Sequence, residues 1–194
     1  MVAAKDGFGG ASVMTQAGCG GPAKPFLYER PQQKQTLDGD PIVTQHELTP
    51  KQLRALYLNG TLRQRFRIAA QRVDRSTIGH PSTLVNAVSA LEGFARAVAI
   101  KALLNSGTSL DEAYAYLRDV GPRDLITKHV CPAYGASPEH AFGAVAWRHI
   151  PEAIEFRNLL IHEATFLNGG TCKRLTLSAL ACFDKLGALA GAVA

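Results

Sequence analysis

No two cysteines of this chain stand close enough to form a CxxC pair: Cys19, Cys131, Cys172 and Cys182 are scattered along 194 residues. That spacing argues against both a zinc ribbon and a disulfide framework, and a reducing, cytoplasmic setting is the simplest expectation. His129, Cys131 and His140 lie near one another but match no common ligand spacing, so no metal and no other cofactor is expected. Gly-x-Ser-x-Gly, a Walker loop and Gly-x-Gly-x-x-Gly are all absent, which leaves no nucleophile elbow and no phosphate-cradling glycine loop. There is no run of about 18 apolar residues, the length a membrane span requires, so no contact with a membrane is expected. QAGC at 16–19 has the residues of a lipoprotein cleavage site, but the preceding MVAAKDGFGGASVMT is broken by glycine and carries Asp6. It therefore lacks the apolar core of a signal peptide. β-branched alternation is nearly missing too, which turns the reading away from sheets.

What remains is ordinary for a folded chain. Hydrophobic residues make up 46% and charged residues 19%, so one domain with a sizeable core is feasible. The formal charge of +5 is compatible with a polyanionic partner without demanding one. Residues 1–47 are crowded with glycine and then with Pro22, Pro25, Pro31 and Pro41, and read as a flexible tail.

From residue 48 the pattern turns helical. Thr49-Pro50-Lys51-Gln52 opens a helix with a capping box and a first-turn proline; Leu53, Leu56 and Tyr57 form its stripe, and Asn59-Gly60 stops it. A second helix carries Leu62, Phe66, Ala69, Ala70 and Val73 among Arg63, Arg65, Arg67, Arg72 and Arg75. Together these form a basic helical hairpin over 48–79. Its arginines could track a phosphate backbone, with Arg63 and Arg67 as RNA contacts, or simply form a solvated face. A long helix over about 83–104 buries Leu84, Val88, Leu91, Ala95, Val98 and Ala102. Ser109–Glu112 is another capping box, and Gly121-Pro122 ends the helix it opens. LITKHVC at 125–131 fits a brief helix or an extended segment, and PAYGASP reads as loop. Ser137-Pro138 starts a helix with Phe142, Val145 and His149, and Pro151 ends it, kinks it or hands over to the next. The next run is helical as far as Asn168-Gly169-Gly170. A last helix puts Leu175, Ala179, Cys182, Phe183, Leu186 and Leu189 on one face, with Phe142 and Trp147 expected in the core. The expected fold is all-α: an up-and-down bundle of about four long helices with short accessory helices.

EFRNLLIHEATF at 155–166 is the segment with chemistry in it. Ile150, Ile154, Ile161 and Ala164 repeat near helical spacing, and Arg157 falls on the same line, a costly place for an unpaired cation. At about 100° per residue, His162 lies about 140° around from Arg157. One helix cannot bring both side chains to a point, whereas two copies packed about a two-fold axis can.

Arg157-Asn158 followed by His162 resembles the signature of the HEPN domain, an arginine and a polar residue with a histidine a turn further on. NAVSALEGFARAVAIKALL at 86–104 is similar to the family's earlier core helix, where an acidic residue interrupts an apolar run. The resemblance covers about residues 80–190 and marks 80–194 as a HEPN-like bundle. It implies metal-independent endoribonuclease activity at a site shared by a homodimer, in a toxin, defence or RNA-processing role. Under it, His162 is general base on a ribose 2′-hydroxyl or acid on the leaving oxygen, Arg157 binds the phosphate, and Asn158 orients one of them. Glu92 is then a candidate to hold Arg157; an i,i+4 pair with Arg96 is its other reading. The subset regulated by a nucleotidyltransferase antitoxin has a tyrosine two residues after the histidine. Ala164 stands there, so that regulation is not implied, although an antitoxin or other protein partner is still possible within the family. The alternative is a catalytically inactive HEPN-like module that binds a protein or RNA partner.

Overall fold

Many of the helix starts here are set by side chains that satisfy otherwise free N–H groups. The computed structural model describes residues 49–163 and 166–193, and among them every regular element is helical. Helix α1 (Pro50–Asn59) begins at the expected capping box: Gln52 N–H donates to Thr49 Oγ1 at 3.3 Å and Thr49 N–H to Gln52 Oε1 at 2.8 Å. Thr61 and Gln64 make an unforeseen second box at α2 (Leu62–Gln71). A short 3₁₀ turn, Arg75–Thr77, leads to α3 (Pro81–Asn105), capped by His80 with proline in its first turn. Ser109–Glu112 caps α4 (Leu110–Leu117) as expected. The ambiguous segment after Gly121-Pro122 is helical: α5 (Pro122–Asp124) runs into a π-helical stretch, Leu125–Val130, and then α6 (Cys131–Ala133). Pro132 lacks the N–H that would close a regular helical bond, which favours a widened turn just before it.

Two boundaries differ from expectation. The helix beginning at Pro138 is not continuous. Gly143, at φ 80 and ψ 132, separates α7 (Pro138–Phe142) from α8 (Ala144–Arg148), a backbone state that side chains disfavour. The second difference is in α9 (Ile150–His162), which stops well before Asn168. Asn168 is instead the cap of α10 (Gly169–Leu189), its Oδ1 accepting from Thr171 N–H at 2.9 Å, and the glycines form the first turn of that helix. An Asn-Gly-Gly run fits a helix stop and a helix start equally well in sequence; the capping bond decides between them. Leu56 (side chain), Ala164, Cys19 and the tail over 1–47 lie outside the described residues.

Helix α3 is the centre. Its buried side chains, Leu84, Val88, Leu91, Phe94, Val98 and Ile100 among them, surround most of its circumference, because α2, α4, the π-helical stretch, α9 and α10 all pack on it. Helix α10 runs against α3 with Leu175, Ala179, Cys182, Phe183 and Leu186 buried, as its stripe foretold. Phe66 of α2 joins them, stacked on Phe183 with centroids 4.6 Å apart and edge-on to Phe94 at 5.2 Å. Each such aromatic or leucine side chain contributes about 1.5–3 kcal/mol by leaving water. Phe142 and Trp147 stack in the same core. Among the described residues no helix is long and apolar enough to cross a membrane.

Candidate functional site

Near the middle of α3, Glu92, Gly93 and Arg96 interrupt its apolar surface and gather polar contacts from α1, α4 and α9. Glu92 is half-buried and its two oxygens serve two arginines. Oε1 accepts from Arg96 Nη2 at 3.0 Å, one turn along α3, and Oε2 accepts from Arg157 Nη2 on α9. Glu92 therefore makes both contacts at once, the i,i+4 pair with Arg96 and the pair with Arg157. Arg96 also reaches the end of α4, donating to the carbonyls of Leu117, Arg118 (2.9 Å) and Val120 (3.1 Å). The Leu117 carbonyl also accepts from Val120 N–H at 3.2 Å, and a cation at this helix end complements the helix dipole. Beside this seam the Tyr57 hydroxyl of α1 donates to the Gly93 carbonyl.

Arg157 lies where the α9 stripe meets α3, with 17% of its side chain exposed. Its Nε is buried without a partner. One nitrogen of the fork is satisfied by Glu92 and another is not, an incomplete arrangement for a half-buried guanidinium. Asn158 and His162 are both exposed, His162 as the last residue of α9. His162 lies about 140° around the helix from Arg157, as its spacing requires. Ile161, placed on the buried stripe by spacing, is 48% exposed, and Phe166 just beyond is 88% exposed. Leu160 of the last turn still packs on the core, while Ile161 and His162 beside it face solvent.

The arginines of α2 divide. Arg63 is exposed and Arg67 half-buried, one turn apart. Arg65 is instead buried beneath Tyr57, its guanidinium 4.9 Å from the ring centroid, and donates to the Leu58 carbonyl. Arg75 forms a two-bond pair with Asp184, at 2.6 and 3.1 Å. Arg65 and Arg75 thus have structural partners and do not belong to a free basic face. Helical spacing alone could not show this, since Tyr57 and Asp184 reach them from other elements.

Cysteine chemistry is not favoured. Burial pushes the Cys131 and Cys172 thiols up and takes Cys182 up to about 12, away from the thiolate a nucleophile needs. Among the described residues no three His, Cys, Asp or Glu side chains gather as metal ligands. The structure brings Glu92 to Arg157 across 65 residues of chain and adds Arg96, whose reach to α4 had no signal in the sequence. No family model matches this chain, and no curated protein or solved structure matches it either.

Proposed function

We propose that the chain is a HEPN-like, metal-independent endoribonuclease, an up-and-down bundle whose active site is completed by a second copy. The observation that carries the reading is the pairing of Arg157 with Glu92 of α3, while Asn158 and His162 of the same helix stand in solvent. A phosphate arriving beside Arg157 meets a guanidinium already fixed in orientation by Glu92, with donors left over for phosphate oxygens. Exposed Ile161, next to His162 in sequence, and exposed Phe166 give a two-fold contact apolar surface to cover. Such a contact would carry the histidine of one copy toward the arginine of the other. In the reaction, the ribose 2′-oxygen attacks phosphorus and the bond to the 5′-oxygen breaks, leaving a 2′,3′-cyclic phosphate. An imidazole takes the 2′-proton and an imidazolium supplies one to the departing oxygen, exchanges that histidine makes near neutral pH. Arg157 stabilises the charge gathering on the phosphate.

The test is purified protein with end-labelled RNA in excess EDTA. Cleavage with cyclic-phosphate ends, reduced about 100-fold or more in His162→Ala and in Arg157→Ala, is the expected result. Full-rate cutting by both variants rejects the site. RNA that is bound but not cut points to the catalytically silent module, a reading to which the engagement of Arg157 by Glu92 also lends support.

A further inference from the structure

A cavity of about 640 Å³ opens where the α1–α2 corner meets the C-terminal half of α3. Its lining includes aliphatic Leu58, Leu62, Ile100 and Leu104 beside Asn59 and Thr61, and its charged residues are Arg63, Arg65 and Lys101, with no acidic side chain among the described residues. Arg65 is the decisive one. It retains only 5% exposure and is the sole charged residue in the buried set of the described chain. Its Nε is buried without a hydrogen-bond partner, and its other contacts are a carbonyl and the Tyr57 ring. Among the described residues no carboxylate pairs with Arg65, Arg63 or Lys101. Buried charges are ordinarily paired, because an isolated ion loses its hydration without return. Burial accordingly pulls the Arg65 pKa down, with only the Tyr57 phenol opposing.

We infer that this cavity binds an anionic amphiphile, a single carboxylate or phosphate head on an aliphatic body. The head would supply the negative charge that the cluster lacks, and the guanidinium fork matches either oxyanion. The body would displace water from the partly exposed Leu58, Leu62 and Leu104. No aromatic side chain lines the cavity, so a nucleobase would find no stacking surface. The volume falls in the range of small-molecule sites. This site is separate from the Arg157 seam and does not depend on the ribonuclease reading.

Calorimetric titration of the full chain with octanoate and with octyl phosphate, using octanol as the uncharged control, tests it without RNA. Saturable binding of at least one anion is expected, with a matching rise in melting temperature and no saturation by octanol. Which anion binds more tightly identifies the head group. Arg63→Gln and Lys101→Gln alter exposed side chains and leave folding intact; each is expected to weaken binding about tenfold or more. Failure of both anions to saturate, equal binding of octanol, or undiminished affinity in the double variant would overturn the proposal.

Discussion

Glu92 holds two arginines with one carboxylate, and this sharing orders the consequences of substitution. Glu92→Gln leaves Arg96 and Arg157 both half-buried beside a neutral amide. We expect it to cost about 2 kcal/mol, measured by urea unfolding. Arg157→Gln leaves the carboxylate still paired with Arg96 and removes a guanidinium whose Nε was already unsatisfied, so its cost is expected to be clearly smaller. Equal losses in the two variants would mean that the Glu92–Arg157 pair carries the whole cost and that Arg96 adds nothing to it. The sequence shows Arg157 intruding on an apolar stripe and Glu92 doing the same on another. Their pairing rests on how α9 leans on α3, which no local pattern encodes.

At the scale of elements, the helices with a strong stripe and a capping residue were legible: α3, α4 and α10 lie close to where spacing put them. The errors fall at weak punctuation, where Gly143 broke a helix and Asn168 started one. Glycine matters most at Gly187 of α10, where an added Cβ would sit 2.4 Å from Phe66 Cε2 and 2.8 Å from Val193 Cγ2. The missing side chain is what lets α2 seat Phe66 on Phe183. Gly187→Ala is therefore expected to destabilise the fold by about 1–3 kcal/mol in chemical denaturation. The gain of up to about 1 kcal/mol that alanine brings to an exposed helix interior does not offset that clash. A net stabilisation would show that α2 is not fixed by this aromatic stack.

For the whole molecule, the composite site predicts a dimer. Sedimentation equilibrium should give about twice the chain mass of 20.8 kDa, and Ile161→Asp with Phe166→Asp should return it to monomer and abolish cleavage together. A monomer that still cuts RNA would refute the shared site. The sequence by itself determined the all-helical class, the identity of the central and last helices, and Arg157, Asn158 and His162 as the unusual residues of an oily helix, because periodicity and capping act over a few residues. Only the tertiary structure decided that Glu92 serves two arginines, that Arg65 is buried with no acid paired to it among the described residues, and that the end of α9 emerges into solvent. Each of these depends on contacts between elements far apart in the chain, and burial changes the energy of a charge far more than its neighbours in sequence do. Arg157, Asn158 and His162 therefore stand out in the sequence alone, but Arg157 has a defined partner only in the folded chain.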